Sequence, residues 1–418
     1  MTYARALKYL YESAPAFHLV GAAAYKPGLQ NVEALMAHFG NPHTQFRSIH
    51  VAGTNGKGST SHLIAAALQS AGYKVGLYTS PHLVDFRERI RINGQMIPEE
   101  DVIRFVEQLS TLSLTPSFFE AATAMAFDYF AREKVDIAVV EVGLGGRLDA
   151  TNIIMPELSV ITNIGFDHTE FLGHTLAEIA CEKAGIIKPN VPCVIGETAP
   201  ETMPVFLEAA RQNGILGAGL ETTDCRIWFA DQCGYLRTCR LREVPDCQLK
   251  GIYQDKNQQT AYVALRALRI PHEAIREGFA NVCTLTGLRG RWEIFSEKPL
   301  TICDTGHNSH GIRYVVEQLK QFQMSNIQSQ IHIVFGMVKD KDIDVVLSLL
   351  PKNAHYYFTQ AQTHRAIPSA ELVAKFGSGQ CFADVTSAVR AAQKEATDKD
   401  IIFIGGSNYV VGEALTLF

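Results

Sequence analysis

Short apolar runs alternate with amphipathic stretches along most of the chain after Arg47. Runs such as DIAVVEVG and LSVITNIG are largely apolar, which is typical of strands buried on both faces of a parallel sheet, and RSIHVAG has the character of a further short buried strand. The stretch STSHLIAAALQSAG has helical spacing, and Gly72 is placed to end that helix. The alternation predicts an α/β fold built on a parallel sheet.

The same alternation restarts near Leu300, where LTICDTGHN, QIHIVFG and DIIFIGGSN have the character of further strands. We therefore predict two α/β domains, over residues 1–290 and 291–418, and the second is of a usual domain size. The segment GLRGRWEIFSEKP between them has little periodicity and is predicted to be the linker. The run LKGIYQDKNQQTAYVALRAL predicts one long helix, and the turn-rich residues 214–243 indicate small β additions at a domain edge.

The composition fits a globular protein that has no nucleic-acid or membrane partner. Of the 418 residues, 47% are hydrophobic and 19% are charged, and the net charge of −5 argues against nucleic-acid binding through a basic surface. No uncharged stretch reaches the roughly 18–20 residues of a membrane helix, and the first residues lack the apolar run of a secretory signal. The nine scattered cysteines predict a reduced, cytoplasmic protein. Because no coiled-coil pattern is present, we expect a monomer.

A glycine-rich loop stands where a predicted strand gives way to a helix, and it is the strongest chemical signal in the sequence. Its glycines allow backbone N–H groups to face phosphate oxygens, Lys57 supplies a positive charge, and a helix N-terminus follows. The loop departs from the general phosphate-binding pattern, because Val51 stands at the first glycine position and Gly58 separates Lys57 from Ser59. A chance glycine-rich turn is the alternative. The predicted ATP-binding residues of the loop are Gly53, Thr54, Asn55, Gly56, Lys57, Gly58, Ser59 and Thr60.

The loop sequence Gly-Thr-Asn-Gly-Lys-Gly-Ser resembles that of the Mur-type ATP-dependent amide ligases, and specifically the folylpolyglutamate synthase and dihydrofolate synthase family. Further matching motifs follow in the same order, at residues 79–82, 86–90, 141–152, 167–169, 182–186 and 405–413. The resemblance covers nearly the whole chain. It implies an N-terminal Mur-ligase-like ATPase domain with a phosphate loop and a smaller C-terminal Rossmann-like α/β domain. It also implies an ATP- and Mg²⁺-dependent ligase that adds L-glutamate to dihydropteroate, to reduced folates, or to both.

Three polar residues lie at or just past the ends of predicted strands, at Ser80, Glu141 and His168. In an open parallel sheet such ends face one crevice, and magnesium prefers oxygen ligands. The alternative for Glu141, less favoured at the end of a buried strand, is a solvated carboxylate, and without the resemblance His168 would be read as an ordinary histidine. The resemblance implies that all three hold a magnesium ion. The predicted metal-binding residues are Ser59, Ser80, Glu141, His168 and Lys183.

Lys183 falls on the apolar stripe of the predicted helix TLAEIACEKAGIIK. Burial lowers the pKa of a lysine, and a neutral amine reacts with carbon dioxide to form a carbamate. Periodicity alone favours the alternative, a lysine that extends past the helix C-terminus. The resemblance implies a carbamate that helps to hold a second magnesium ion. The predicted catalytic residues are Lys57, Glu141, His168 and Lys183.

The segment FRERIRINGQMI predicts a β-hairpin that turns at Asn93 and Gly94. On that reading Arg87, Arg89 and Arg91 alternate onto one face, which suits carboxylate binding or is simply an exposed charged face. The resemblance implies that the loop Gly143–Gly146 borders the pterin and that Asp149 contacts it. The predicted substrate-binding residues are Lys26, Pro27, Gly28, Pro81, His82, Arg87, Arg147 and Asp149.

Further nucleotide contacts are implied by the resemblance in the second half of the chain, at Asn257, Arg291, Asp304 and His307. Tyr253 stands where the family has histidine, so contacts of that histidine do not carry over.

The predicted reaction proceeds through an acyl phosphate that the amine of L-glutamate attacks. Three alternatives stay open at this point. They are a Mur-type ligase of peptidoglycan precursors, a kinase or nucleotidase with no amide product, and an ATP-binding module without turnover.

Overall fold

The computed structural model describes residues 1–13, 28–216, 226–232, 244–325, 329–339 and 342–418. The helices are α1 Tyr3–Ser13, α2 Gln30–His38, α3 Lys57–Ser70, α4 Glu99–Leu109, α5 Phe118–Arg132, α6 Thr169–Leu172, α7 Leu176–Ala184, α8 Met203–Gln212, α9 Gln254–Ala267, α10 His272–Ala280, α11 Val282–Thr286, α12 Ser309–Ser325, α13 Ile343–Leu349, α14 Ser369–Phe376, α15 Val385–Glu395 and α16 Asn408–Leu415. None of the helices in these ranges combines the length and the apolar character of a membrane-crossing segment.

The strands are β1 Arg47–Ala52, β2 Val75–Tyr78, β3 Ile90–Ile92, β4 Gln95–Met96, β5 Ile137–Glu141, β6 Leu158–Ile161, β7 Cys193–Ile195, β8 Ile227–Phe229, β9 Glu293–Glu297, β10 Leu300–Asp304, β11 Ile331–Phe335, β12 His355–Phe358, β13 Gln380–Cys381 and β14 Ile401–Gly405. The chain folds into two compact units. The first comprises residues 1–82, 87–248 and 254–288, and the second comprises residues 83–86, 249–253 and 289–418. The domain boundary predicted between residues 290 and 291 stays a proposal, and the two short segments of the second unit were not predicted.

Within the described ranges, the sheet of the first unit has the strand order β4-β3-β2-β5-β1-β6-β7-β8. Strands β2, β5, β1, β6, β7 and β8 run parallel, and the hairpin β3-β4 is antiparallel to β2. Strand β5 is buried along its whole length, as its uninterrupted apolar sequence predicts. The parallel α/β prediction is therefore confirmed for this unit.

Helix α3 lies directly after the central strand β1 and is buried from Ser59 to Leu68. Its residues from Leu63 to Leu68 are apolar at every position, which is the pattern of a helix that is covered by other elements. Helix α10 packs closely against it, since a Cβ on Gly278 would lie 2.5 Å from the Cα atom of Ala67. The predicted end of α3 is confirmed, because Ala71 is the C-cap and Gly72 has a φ of 90°. This packing fixes the helix whose N-terminus carries the phosphate loop.

The sheet of the second unit, in the part of the chain that the structure describes, has the order β13-β12-β11-β14-β10-β9. All neighbouring pairs are parallel except β9 with β10. The segment GLRGRWEIFSEKP, predicted as the linker, contains a strand that was not predicted, because Glu293–Glu297 forms the edge strand β9. The strand is half exposed, so its sequence carries no continuous apolar run that would have signalled it.

Candidate functional site

The phosphate loop connects β1 to α3, and residues 53–56 form the turn. Gly56 is the N-cap of α3 with a φ of 80°, and Gly53 has a φ of 150°. The helix begins at Lys57, two residues earlier than the sequence pattern predicted, so Gly58, Ser59 and Thr60 all belong to its first turn. The backbone N–H groups at this end of a 14-residue helix are therefore directed at the loop, which favours an anion there.

The loop is tied to the segment that follows β6. The Thr54 N–H group donates to the Asn163 carbonyl at 2.9 Å, and the Asn55 N–H group donates to the side-chain oxygen of Asn163 at 2.9 Å. The Thr162 hydroxyl donates to the Asn55 carbonyl at 2.6 Å, and the Thr54 hydroxyl bonds to both backbone groups of Gly165 at 3.0 and 3.1 Å. These bonds fix the loop conformation. Neither Thr162 nor Asn163 was predicted as a site residue, although both directly follow the apolar strand β6, where site residues of parallel sheets lie.

Two glycines of the loop are required by close approach as well as by backbone conformation. A Cβ at Gly53 would lie 1.8 Å from the Thr162 hydroxyl oxygen, and one at Gly56 would lie 2.1 Å from the Asn257 side-chain oxygen. Asn257 also donates to the Gln254 side-chain oxygen at 2.8 Å, and Gln254 in turn donates to the Ser59 hydroxyl at 3.1 Å. The predicted pairing of Gln254 and Asn257 one turn apart on α9 is confirmed, and both side chains reach the phosphate loop.

Helix α9 begins at Gln254 and not at Leu249 as the apolar pattern suggested. The residues before it belong to the second compact unit. The predicted continuous helix is therefore wrong over Leu249–Tyr253, because these residues hydrogen-bond to α12 instead: the Ile252 N–H group donates to the Gln318 side chain at 2.8 Å.

Two lysines converge on the Gly53 carbonyl. The Lys57 ammonium donates to it at 3.0 Å and to the Thr54 carbonyl at 3.2 Å, and Lys183 donates to it at 3.1 Å. Lys183 lies on the apolar side of α7 and is only 4% exposed, whereas periodicity alone had favoured a lysine that extends past the helix C-terminus. Burial, assisted by the nearby charge of Lys57, lowers the pKa of Lys183 from 10.5 to about 7. A large fraction of this amine is therefore neutral at neutral pH.

A buried carboxylate ends the central strand β5. Glu141 is 3% exposed, and its Oε2 atom accepts a hydrogen bond from the Ser80 N–H group at 3.0 Å. Two of the predicted metal-binding residues are thus neighbours at the carboxyl ends of β5 and β2. Within the described ranges no group of three or more His, Cys, Asp and Glu side chains is arranged to hold a metal. One carboxylate with serine hydroxyls still fits magnesium, which takes few protein ligands and leaves its other positions to phosphates and water.

His168 lies farther from its strand than predicted. Strand β6 ends at Ile161, and His168 is the N-cap of α6 with a φ of 51°. Its backbone N–H group donates to the Asp167 carboxylate at 3.0 Å. The charge of Asp167 in turn raises the pKa of Lys183, against the larger effect of burial. This loop is therefore electrostatically coupled to the buried amine.

The glycine-rich loop after β5 is closed by Asp149, which is 5% exposed. Its carboxylate accepts from the Leu144 N–H group at 2.9 Å and from the Thr151 N–H group at 2.9 Å. Burial raises the pKa of Asp149, and the hydrogen bonds from Thr151 and Leu144 oppose that rise. Arg147 is exposed and forms an ion pair of 2.8 Å with Glu182 on α7.

The predicted hairpin at Asn93 and Gly94 is confirmed, with φ angles of 46° and 78° at its turn. The prediction that three arginines alternate on one strand face is wrong, because β3 begins only at Ile90 and Phe86–Arg89 forms a 3₁₀ helix. Arg89 and Arg91 are buried at 3% and 9% exposure.

The arginines of this segment have separate partners. Arg89 Nε donates to His82 Nδ1 at 2.7 Å, and its guanidinium lies 5.2 Å from the centre of the Phe118 ring. Arg87 lies 3.5 Å from Glu99 and over the Tyr3 ring. His82, which follows Pro81, is therefore oriented by a buried cation.

The predicted residues of the second unit surround the end of β10. Asp304 accepts from the Tyr253 hydroxyl at 2.5 Å, from the Trp292 N–H group at 2.8 Å and from the Gly306 N–H group at 2.7 Å. Burial raises the pKa of Asp304, and the hydrogen bond from Tyr253 and the charge of Arg291 oppose the rise.

His307, another predicted nucleotide-binding residue, has its Nδ1 atom 3.0 Å from the Thr305 carbonyl oxygen.

Among the residues predicted near the substrate, Gly28 is described, with a φ of 121°, whereas Lys26 and Pro27 lie outside the described residues.

Two family models match the chain over most of both units. The Mur ligase middle domain matches residues 51–198, and the Mur ligase glutamate ligase domain matches residues 290–408. The dihydrofolate synthase/folylpolyglutamate synthase of Bacillus subtilis (strain 168) is 35% identical over 412 residues, which cover 93% of this chain and 94% of that protein.

Solved structures show the same similarity. E. coli FolC in complex with DHPP and ADP has a TM-score of 0.85 and 30% identity, and the match covers 100% of this chain and 97% of that one. A bifunctional folylpolyglutamate synthase/dihydrofolate synthase with Mn, AMPPNP and L-glutamate bound has a TM-score of 0.82 and 31% identity, with 100% and 98% covered.

Proposed function

The chain belongs to the dihydrofolate synthase/folylpolyglutamate synthase family of Mur ligases, and on that premise we propose that it is an ATP-dependent ligase of L-glutamate. Its acceptors are dihydropteroate, reduced folates, or both. The observation that carries the proposal is the phosphate loop, held by Thr162 and Asn163 next to a lysine amine that burial leaves largely neutral. The solved relatives that bind a nucleotide and L-glutamate or DHPP support the same substrates.

The reaction has two steps. A carboxylate oxygen of the acceptor attacks the γ-phosphorus of ATP, ADP leaves, and an acyl phosphate forms. The neutral amine of L-glutamate then attacks the acyl carbon, the amide C–N bond forms, and inorganic phosphate and a proton leave. The N-terminus of α3 and the Lys57 ammonium stabilise the charge that gathers on the transferred phosphoryl group.

We propose the following roles for the individual residues. Nucleotide binding is assigned to Gly53, Thr54, Asn55, Gly56, Lys57, Gly58, Ser59, Thr60, Asn257, Arg291, Asp304 and His307. Acceptor binding is assigned to Lys26, Pro27, Gly28, Pro81, His82, Arg87, Arg147 and Asp149. Magnesium, which supplies positive charge to the phosphates when bound, is assigned to Ser59, Ser80, Glu141, His168 and Lys183.

We propose that Lys183 carries a carbamate in the active enzyme. The neutral form of its amine attacks carbon dioxide, an N–C bond forms, and a proton is lost, which leaves an anionic oxygen ligand beside the phosphate loop. Replacing Lys183 by alanine should abolish ligation, and short carboxylate ions should restore part of the activity. Full activity of the variant without any added carboxylate would contradict the carbamate.

The function is tested with ATP, L-glutamate and either dihydropteroate or a reduced folate monoglutamate. Phosphate release is followed together with the mass of the acceptor. Glutamate gained by both acceptors supports the bifunctional enzyme, and a gain by one names the single activity. No gain in either case, with ATP bound, would overturn the proposal. Turnover with a UDP-muramyl substrate would then point to a peptidoglycan ligase, and ATP turnover without an amino acid would point to a nucleotidase.

Two broader proposals rest on the sequence. The protein is proposed to act as a monomer, because its sequence has no coiled-coil pattern, and to act in the cytoplasm, because its nine cysteines are scattered without a pairing pattern. Sedimentation of the purified chain with and without ATP tests the first of these.

A further inference from the structure

A chain of buried hydrogen bonds leads from the central strand β1 to the glycine-rich loop after β5. His50 Nε2 lies 2.8 Å from the Thr151 hydroxyl oxygen, and that oxygen lies 2.5 Å from Oδ1 of Asp149. The other carboxylate oxygen of Asp149 accepts from the Leu144 N–H group at 2.9 Å. His50 and Thr151 are completely buried. None of the proposed chemical steps uses either of them.

The direction of each bond follows from what each group can donate. Burial, with the nearby charge of Lys188, lowers the pKa of His50 to about 3, so the imidazole is neutral and carries one N–H group. An ionised Asp149 only accepts, so the Thr151 hydroxyl donates to it and must itself accept from His50 Nε2–H. The hydroxyl thus links the two side chains, with one bond on either side.

The other ring nitrogen of His50 supports this assignment. In the described part of the chain, His50 Nδ1 is buried and has no hydrogen-bond partner. A proton on Nδ1 would leave that buried N–H group unsatisfied and would set two acceptors, His50 Nε2 and the Thr151 oxygen, against each other. Both constraints therefore place the imidazole proton on Nε2.

Asp149 holds the glycine-rich loop at two points. Its Oδ2 atom binds the Leu144 N–H group inside the loop, and its Oδ1 atom binds both the backbone N–H group and the hydroxyl of Thr151. The hydroxyl bond is the only one of these three that a side-chain substitution removes without touching Asp149. Thr151 therefore controls how firmly the carboxylate, and with it Leu144, is held.

We propose that His50 and Thr151 are positioning residues for dihydropteroate, acting through Asp149 on the loop Gly143–Gly146. The inference rests on the proposed function, which assigns Asp149 and Arg147 to acceptor binding. In this proposal His50, which lies on β1 three positions before Gly53 of the phosphate loop, couples the nucleotide-binding strand to the acceptor loop. The loop then offers the acceptor one fixed conformation, so that less entropy is lost on binding.

The test compares Thr151→Val, which keeps the side-chain shape and removes the hydroxyl, with Thr151→Ser, which keeps the hydroxyl. We expect Thr151→Val to raise the KM for dihydropteroate about tenfold, as for the loss of one hydrogen bond to a charged group, with the KM for ATP within about twofold of wild type. Thr151→Ser should restore most of the loss. Equal increases in both KM values, or no restoration by serine, would overturn the proposal.

The chain offers a matched control at a second buried histidine–threonine pair. His62 Nδ1 lies 2.7 Å from the Thr286 hydroxyl, and both residues are buried in the first unit. Thr286→Val removes a bond of the same kind away from the glycine-rich loop. It should lower the stability without raising the KM for dihydropteroate. A tenfold rise in that KM for Thr286→Val would show a general effect of destabilisation and would refute the positioning role.

A second readout separates this proposal from the proposed function. Amide hydrogen exchange at Leu144, measured on the unliganded protein, should be faster in Thr151→Val and in His50→Leu than in wild type, and close to wild type in His50→Gln. Exchange at Leu144 in the double variant His50→Leu/Thr151→Val should be no faster than in either single variant, because each substitution breaks the same chain of hydrogen bonds. Wild type that adds glutamate to neither dihydropteroate nor a reduced folate refutes the proposed function, and wild type that uses only reduced folates refutes the role in dihydropteroate binding. Unchanged exchange at Leu144 refutes the hydrogen-bond chain itself.

Discussion

Replacing Lys183 by methionine should stabilise the first unit at neutral pH and remove a pH dependence. Methionine has a similar length and no charge, and Lys183 is 4% exposed on the apolar side of α7. The buried ammonium has a pKa of about 7, against 10.5 for an exposed lysine, mainly because burial disfavours its charge. Between these two values the unfolded chain binds more protons at this site than the folded chain does. Wild-type stability therefore rises with pH in this window.

The expected magnitude follows from the two pKa values. A difference of one pH unit in pKa corresponds to 1.36 kcal/mol, so a charged Lys183 costs the folded state on the order of 4–5 kcal/mol at pH 7. At pH 9 much of that cost has gone, since the folded amine is neutral. The stability advantage of Lys183→Met over wild type should therefore shrink by about 2–3 kcal/mol between pH 7 and pH 9.

The assay is urea unfolding without magnesium or bicarbonate, so that the lysine stays an amine. The chain has two tryptophans, and a Trp292→Phe background leaves Trp228 in the first unit as the fluorescent reporter. The protein with Lys183 and the Lys183→Met variant, each in the Trp292→Phe background, are measured at each pH. Contributions of other titrating groups then cancel in the difference between their free energies of unfolding. A stability difference that does not change between pH 7 and pH 9 would refute the argument, as would a methionine variant that is less stable at both values.

Three further predictions follow from other contacts. Gly56→Ala should raise the KM for ATP at least tenfold, because its Cβ would lie 2.1 Å from the Asn257 side-chain oxygen, and an unchanged KM would contradict the close approach. Tyr253→Phe removes a hydrogen-bond donor that lowers the pKa of Asp304. The acid limb of the pH profile of kcat/KM for ATP should therefore move to higher pH. An acid limb that does not move would argue against a role for the ionised carboxylate. Burial lowers the pKa of His332 below 6.5, so the stability of the second unit should fall as the pH drops below about 6.5. His332→Asn should flatten this dependence in urea unfolding, and an equally steep fall in the variant would assign it elsewhere.

Several features of this molecule were determined by local sequence. The apolar runs at β5 and β6 predicted a buried parallel sheet, since strands covered on both faces carry such runs. The glycines, Lys57 and the following helix predicted the phosphate loop, because backbone conformation and a helix N-terminus are local properties. The sequence placed Lys183 on the apolar stripe of α7 but periodicity alone favoured a lysine that extends past the helix C-terminus, and the structure shows that it is buried.

Other features depended on contacts between residues that are far apart in the sequence. Strand β9 was missed because an edge strand is half exposed and has no continuous apolar run. The buried positions of Arg89 and Arg91 follow from a 3₁₀ helix that delays the start of β3, which alternation alone does not reveal.

The hydrogen-bond chain from His50 through Thr151 to Asp149 joins residues about 100 positions apart. Sequence spacing gives no signal for such a pair, because only the parallel order of β5, β1 and β6 brings the two segments together. Local sequence thus determined the apolar central strands and the phosphate loop, since each depends on the conformation or burial of one short segment. Tertiary structure decided which side chains share a hydrogen bond, because that depends on strand order and packing.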